Sequence, residues 1–154
     1  MKVAVLGAGA WGTALARLLC LNGHSVVLWG HDADRLAAIA RTHTNARYLP
    51  GIHLPDTLRY EPDILAAVRD SECTIVAVPS KAFRSVTKQL ATFTGIAATV
   101  TKGIEYETGL TMCGVLRTTM PMASAVALSG PTMALEVARD VPLLVENPRE
   151  KHGD

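Results

Sequence analysis

The chain has 154 residues, with 15 Lys and Arg, 14 Asp and Glu, and a formal net charge of +1. Its 49% hydrophobic content excludes a disordered chain and suffices for one domain, while the near-neutral charge excludes a non-specific nucleic-acid binder. Three scattered cysteines exclude a disulfide framework, and no apolar stretch approaches the ~20 residues that cross a bilayer. We therefore expect a cytoplasmic protein without membrane insertion.

The first part of the chain alternates apolar strands with helices. Continuous apolar runs predict buried strands, and stretches rich in Ala and Leu predict the helices that follow them. In chain order these are strand 2–6, helix 11–21, strand 25–29 and helix 33–41. Residues 43–58 carry two prolines and a glycine and have no sustained period, so they are predicted to form a loop.

The same alternation continues to the end of the apolar sequence. The predicted elements are helix 63–68, strand 74–78, helix 82–90, strand 97–101, helix 110–120, strand 123–128 and helix 133–139. Such a pattern requires crossovers between parallel strands. The fold class is therefore α/β, a Rossmann-type, doubly wound, mostly parallel sheet with helices on both faces. Residues 1–142 are expected to form this domain and residues 143–154 a frayed polar tail.

A glycine-rich turn follows the first strand. Residues 7–12 read GAGAWG and fit G-x-G-x-x-G between a predicted strand and a predicted helix. In this motif Gly7 permits a tight turn, Gly9 lets the backbone approach a pyrophosphate, and Gly12 allows close helix–strand packing. The amides of the first helical turn then receive the negative charge. This context predicts dinucleotide binding, rather than a turn that serves packing alone.

The end of the second strand bears on the choice between NAD and NADP. An acidic residue there would bind the ribose and favour NAD, whereas a basic residue would accommodate the 2′-phosphate of NADP. Here Gly30 occupies that position, with His31 and Arg35 as nearby donors. Asp32 is predicted to cap the next helix. NADP(H) is therefore favoured, and NAD(H) stays open.

Three turns follow strands at the predicted carboxyl edge of the sheet. They are Val78-Pro79-Ser80, Thr101-Lys102-Gly103 and Ser129-Gly130-Pro131-Thr132. The Lys102 ammonium is able to meet a phosphate or a polarised carbonyl, and the Thr132 hydroxyl is expected to cap the last helix. Each turn alone fits ordinary turn chemistry, but three at one sheet edge indicate a ligand site.

The remaining titratable residues predict no further chemistry. His24, His43 and His53 are spread over unrelated segments, which argues against a zinc site. Glu105 and Glu107 lie in a polar loop and are expected to be solvated. The cysteines are expected to be small buried residues in a reducing compartment.

Five blocks of sequence occur in order, with consistent spacing, over residues 1 to 142. They are GAGAWGTALA (7–16), NARYLPGIHLP (45–55), VAVPS (76–80), TKGIEYETG (101–109) and LSGPTMALEVA (128–138). Together they resemble the bacterial type of NAD(P)-dependent glycerol-3-phosphate dehydrogenase. The resemblance implies an oxidoreductase that interconverts sn-glycerol 3-phosphate and glycerone phosphate and supplies the backbone of phospholipids.

The resemblance also implies roles for individual residues. Contacts with NADP(H) are expected from Ala10, Trp11, His31, Tyr48, Lys102 and Ala134. Substrate contacts are expected from Lys102, Gly130 and Thr132. No catalytic residue is assigned, because the general-acid lysine of this family is expected in a helical C-terminal domain beyond this sequence.

The chain is therefore expected to be the cofactor-binding half of such an enzyme, a fragment whose own activity stays open. Its expected partner is a small phosphorylated substrate and not a nucleic acid, and a homodimer is left open. Two alternatives remain, a stand-alone non-catalytic dinucleotide-binding module and a related hydroxyacid or ketopantoate-type reductase. Turnover of glycerone phosphate with NADPH would separate an active dehydrogenase from a binding module.

Overall fold

A computed structural model describes residues 1–130 and 133–140. Its elements in chain order are β1 (Lys2–Leu6), α1 (Ala10–Leu21), β2 (Ser25–Trp29), α2 (Ala33–Thr42), β3 (Thr44–Asn45), β4 (Leu49–His53), β5 (Arg59–Glu61), α3 (Ile64–Val68), β6 (Cys73–Val76), α4 (Ser80–Lys88), β7 (Ile96–Thr99), α5 (Met112–Thr119), β8 (Ser124–Ala127) and α6 (Ala134–Ala138). Within these residues, six strands form one sheet in the order β5-β2-β1-β6-β7-β8, and every pairing in it is parallel.

The sheet is buried between two apolar layers. On one face α3, α4 and α5 pack a cluster that includes Phe83, Leu116 and Met120. On the other face α1 and α2 pack a second cluster that includes Leu15 and Leu36. Because strands between two such layers need apolar side chains on both faces, β1 is a continuous apolar run after Lys2. The predicted α/β fold with helices on both faces is confirmed.

The strand order places a switch point next to β1. From β1 the chain first builds outward through β2 and β5, and then returns to the other side of β1 through β6, β7 and β8. The carboxyl ends of β1 and β6 are therefore neighbours whose following segments leave in different directions. Open α/β sheets bind their ligands in the crevice outside such a point.

The prediction of a loop over 43–58 is wrong. Strands β3 and β4 pair in antiparallel fashion within this range, with a register irregularity at Thr44 and Asn45. Pro50 and Gly51 lie inside β4, and strand propensity disfavours both. The hairpin is fixed instead by tertiary packing, because buried Leu49 joins Val137 and Ala138 of α6 in a small cluster.

The hairpin also brings together two histidines that appeared unrelated in the sequence. The ring centroids of His43 and His53 lie 5.8 Å apart. The Asp56 carboxylate lies 3.7 Å from Nδ1 of His43 and 4.0 Å from Nε2 of His53. Residues 1–130 and 133–140 nevertheless contain no cluster of three or more His, Cys, Asp or Glu side chains suited to a metal ion.

Strand β5 was not predicted, because it has only three residues and follows a turn in which the Leu58 amide donates to the carbonyl oxygen of Pro55. It extends the sheet beyond β2 and places Tyr60 opposite Leu28. No described helix combines the length and the apolar character that crossing a membrane requires.

Tyr60→Phe is expected to stabilise the fold. The buried Tyr60 hydroxyl has no hydrogen-bond partner among the described residues, and its removal should raise the free energy of unfolding by about 1 kcal/mol at neutral pH. Burial, helped by nearby Cys20 and Asp56, raises the pKa of Tyr60 from 10.0 to about 12. The native state therefore keeps a proton that the unfolded chain releases, and stability should fall as pH rises from 10 towards 12.

Urea unfolding at neutral and alkaline pH, monitored by circular dichroism, measures both the gain in stability and its dependence on pH. The Phe variant should lose less stability than the parent chain at alkaline pH. Tyr106→Phe is the matched control, because the Tyr106 side chain is 100% exposed. A Tyr60→Phe variant less stable than the parent chain would mean that the hydroxyl is hydrogen-bonded.

Candidate dinucleotide-binding cleft

A cleft of about 380 Å³ lies at the carboxyl edge of the sheet, beside the switch point. Its walls come from the turn after β1, the end of β2 and the segments that follow β6 and β7. Of the predicted cofactor-binding residues, it gathers Gly7, Gly9, Ala10, Trp11, His31 and Tyr48. Six of the residues predicted to bind the cofactor therefore line one cleft.

The three glycines of the turn meet different surroundings. Gly7 has φ +123°, and a Cβ there would lie 2.5 Å from the carbonyl oxygen of Ala77, so the turn passes close to the chain after β6. A Cβ on Gly12 would overlap the carbonyl oxygen of Gly7. A Cβ on Gly9 would have no atom within 4 Å. Backbone atoms thus leave no space for a side chain at Gly7 and Gly12, while Gly9 faces open space.

The first turn of α1 presents amide groups to the cleft. Gly9 precedes the helix in extended conformation, and within the described residues no side chain caps this end. The uncapped amides and the helix dipole favour an anion at this position. Asn45 supports the turn from β3, because its amide nitrogen donates to the carbonyl oxygen of Ala8 at 3.0 Å and to Oγ1 of Thr13 at 2.9 Å.

A basic cluster surrounds Tyr48 at the β2 side of the cleft. The guanidinium carbons of Arg35 and Arg47 lie 5.4 Å and 5.3 Å from the centre of the Tyr48 ring. Nη1 of Arg35 also donates to the Tyr48 hydroxyl at 3.3 Å. Arg47 was not predicted as a site residue, because its only signal in the sequence is its position beside Tyr48 in the NARYLP block.

Asp32 caps the start of α2, which confirms the predicted capping role. Its carboxylate accepts a hydrogen bond from the Arg35 amide at 3.0 Å and lies 3.3 Å from Nη2 of the same arginine. These contacts, the backbone hydrogen bond first among them, lower the pKa of Asp32. At position 30 an acidic side chain would require a small shift of the turn after β1, because a Cβ on Gly30 would lie 3.1 Å from that of Ala8.

A second chamber of about 280 Å³ opens on the other side of Trp11. It is lined by Ala10, Trp11, Val100, Lys102, Leu128, Ser129, Gly130 and Ala134. Helix α6 carries Ala134 to this place because Val137 and Ala138 pack against Ala14 of α1. The predicted residues Lys102, Gly130 and Ala134 therefore meet beside the glycine-rich turn. Thr132, predicted as a substrate contact and helix cap, lies outside the described residues.

The expectation that Glu105 is solvated is wrong. Its carboxylate accepts hydrogen bonds from Nε of Arg84 at 2.7 Å and from Nη2 at 2.6 Å, and the side chain is only 16% exposed. The hydrogen bonds from Arg84, followed by one from Thr108, lower the pKa of Glu105 to about 2. Glu107, two residues further on, is exposed as expected.

The parallel sheet, the glycine-rich turn at its switch point and the uncapped start of α1 define a Rossmann-type domain of the dinucleotide-binding class. The sequence profile of a family described as "NAD-dependent glycerol-3-phosphate dehydrogenase N-terminus" matches residues 2–146. The chain belongs to this family, and the predicted resemblance is confirmed.

Individual relatives agree with the family. A glycerol-3-phosphate dehydrogenase [NAD(P)+] of Xanthomonas euvesicatoria pv. vesicatoria is 45% identical over 157 aligned residues, which cover 99% of this chain and 45% of the relative. The crystal structure of glycerol-3-phosphate dehydrogenase from Coxiella burnetii superposes with a TM-score of 0.83 at 33% identity, covering 92% of this chain and 44% of that one.

A yeast glycerol-3-phosphate dehydrogenase, from Saccharomyces cerevisiae, superposes with a TM-score of 0.79 at 28% identity and covers 90% of this chain and 44% of that one. The chain therefore spans less than half the length of the relatives that it matches. The family match favours the dehydrogenase over the hydroxyacid or ketopantoate-type reductase considered above.

Proposed function

We propose that this chain is the cofactor-binding part of a glycerol-3-phosphate dehydrogenase, a cytoplasmic enzyme that interconverts sn-glycerol 3-phosphate and glycerone phosphate. The observation that carries the proposal is the glycine-rich turn, in which backbone atoms leave no space at Gly7 and Gly12 but Gly9 is open beside uncapped helix amides. Membership of the dehydrogenase family supports the choice of reaction. The domain extends over residues 1–142 in this proposal, and the proposed polar tail at 143–154 lies outside the described residues.

The residues of the cleft suit the parts of a nicotinamide dinucleotide. The amides of Ala10 and Trp11 would receive the pyrophosphate at the start of α1. Tyr48 and the basic groups near it would hold the adenosine end. When bound, the cofactor supplies or accepts the hydride. Trp11 lines both the cleft and the second chamber, so it would contact the cofactor where the two sites meet.

The second chamber suits the phosphorylated substrate. Lys102 is exposed at its rim, where the ammonium would neutralise a phosphate or stabilise negative charge on a substrate oxygen. Gly130 and Ala134 line the same chamber. We assign none of these residues as the general acid.

A direct test is titration of the 154-residue chain with NADPH and NADH, in which the fluorescence of the nicotinamide reports binding. We expect saturable binding of both dinucleotides, and little or no turnover when glycerone phosphate is added, because none of the residues placed in the site is assigned as the general acid. Absence of binding by either dinucleotide would contradict the proposal. Rapid turnover would show that the chain itself supplies the general acid.

The cleft further favours NADP(H) over NAD(H). Position 30 is a glycine and carries no acid, and the Asp32 carboxylate is engaged by Arg35 and by the start of α2. The guanidinium groups of Arg35 and Arg47, with His31 at the rim, form a cationic surface suited to a 2′-phosphate.

His31→Asp should therefore shift the preference towards NADH. An aspartate at the rim would repel the 2′-phosphate and accept a hydrogen bond from a free ribose hydroxyl, so we expect the ratio of NADPH to NADH affinity to fall about tenfold or more. Parallel titrations with both dinucleotides measure the ratio. His24→Asp makes the same chemical change at the opposite end of β2 and should leave the ratio unaltered. An unaltered ratio in His31→Asp would exclude His31 from reading the 2′-phosphate.

A further inference from the structure

Lys102 lies in the segment between β7 and α5, most of which does not pack against the rest of the domain. Residues 102–104 and 106–109 are exposed. At its start, Oγ1 of Thr101 donates to the carbonyl oxygen of Val78 at 2.7 Å, which ties the segment to the chain after β6. At its far end Leu110 packs against the core cluster beneath α4 and α5. A hydrogen bond thus fixes the start of the segment, and apolar packing fixes its end.

Within this exposed segment, the Glu105 side chain is largely buried. Its carboxylate takes both hydrogen bonds of the Arg84 fork and a third from the Thr108 hydroxyl. Its backbone amide donates to the carbonyl oxygen of Leu110 at 2.8 Å, and its own carbonyl accepts from the Gly109 amide at 2.8 Å. The loop is therefore folded around Glu105.

Arg84 connects this loop to two helices. It lies on α4, and its Nη1 donates to Oγ1 of Thr118 on α5 at 3.3 Å while the other two nitrogens hold Glu105. A planar guanidinium with two parallel hydrogen bonds fixes the orientation as well as the distance of a carboxylate. Glu105 is thereby attached to the rigid part of the domain.

We propose that Arg84 and Glu105 are positioning residues for Lys102, an inference that rests on the proposed function. Lys102 lies between two fixed points, the Thr101 hydroxyl and the Glu105 carboxylate. Without the ion pair, the segment after Thr101 would keep its backbone pairing, residues 104 and 105 with residues 109–111, but lose its side-chain link to α4. A segment with fewer restraints samples more conformations, so the ammonium would spend less time at the rim of the chamber.

The ion pair has a second effect on Lys102. Glu105 is three residues from Lys102 in the sequence, so a carboxylate released by Arg84 would leave two unpaired opposite charges in one exposed loop. Arg84 satisfies the carboxylate instead, and the low pKa of Glu105, about 2, keeps the ion pair intact at neutral pH. Loss of Arg84 should therefore weaken the site more than loss of the Glu105 charge.

The first test measures the loop itself. In Glu105→Gln, we expect the NMR order parameters of the Lys102 and Gly103 amides to fall, while those of β1 and β6 stay unchanged. Glu107→Gln is the matched control, because it removes the same charge from an exposed side chain of the same loop. Unchanged order parameters at Lys102 in the Glu105 variant would overturn the inference, whatever the chain binds.

The second test separates positioning from general stabilisation. We expect Glu105→Gln to weaken NADPH binding about threefold to tenfold, and to weaken it no further in a chain that already carries Lys102→Met. Additive losses would overturn the inference, because the ion pair would then act independently of Lys102.

The exchanged pair Arg84→Glu with Glu105→Arg should recover part of the affinity lost in either single variant. If the parent chain binds no dinucleotide, the proposed function fails, and the order parameters still decide the positioning role.

Discussion

Replacing Gly12 by alanine is expected to lower the free energy of unfolding by about 3 kcal/mol or more. The new Cβ would overlap the carbonyl oxygen of Gly7 and lie 3.0 Å from its carbonyl carbon and 3.3 Å from the Cβ of Ala77. The nearest of these atoms are backbone, held where β1 leaves the sheet, and they cannot move aside as the end of a flexible side chain could. Helix α1 would have to shift away from the sheet. That shift would loosen the packing of the apolar cluster that contains Leu15.

Urea unfolding measures this loss, and Gly114→Ala is its control. Gly114 is also a helical glycine, but a Cβ there would meet Leu110 at an ordinary 3.4 Å. Alanine at position 114 should leave stability unchanged or raise it by up to about 1 kcal/mol, since alanine favours helix. Equal stabilities of the two variants would mean that α1 does not approach the turn as closely as the structure describes.

The sequence predicted the parts of the fold that local patterns determine. Strands β1 and β2 are continuous apolar runs, and the glycine-rich turn has a spacing that only a strand–helix junction explains. Because the carboxyl ends of parallel strands share one edge, the positions of Lys102 and Gly130 beside the turn also followed from the alternation of elements.

The features that were missed depend on contacts between distant residues. Strand β4 contains Pro50 and Gly51 and forms because Leu49 packs on α6, which no local pattern reveals. Arg84 and Glu105 are separated by 21 residues, and each alone resembles an ordinary charged surface residue. A single sequence gives no signal for such a pair.

The glycine-rich turn should also allow binding to be removed without loss of stability, through Gly9→Val. Gly9 has φ −80° and ψ −172°, an extended conformation that valine adopts readily, and a Cβ there would have no atom within 4 Å. The free energy of unfolding should therefore stay within about 0.5 kcal/mol of the parent value. The valine side chain would instead occupy the space in front of the α1 amides, where the pyrophosphate has to approach.

We expect Gly9→Val to weaken NADPH binding at least about a hundredfold, measured by fluorescence titration beside urea unfolding of the same sample. Gly23→Val supplies a control for dinucleotide binding, since residue 23 follows the far end of α1 and is not among the cleft residues. Its positive φ of 82° should cost stability while leaving the affinity of the folded chain unchanged. If Gly9→Val bound NADPH as tightly as the parent chain, the pyrophosphate could not lie at this turn.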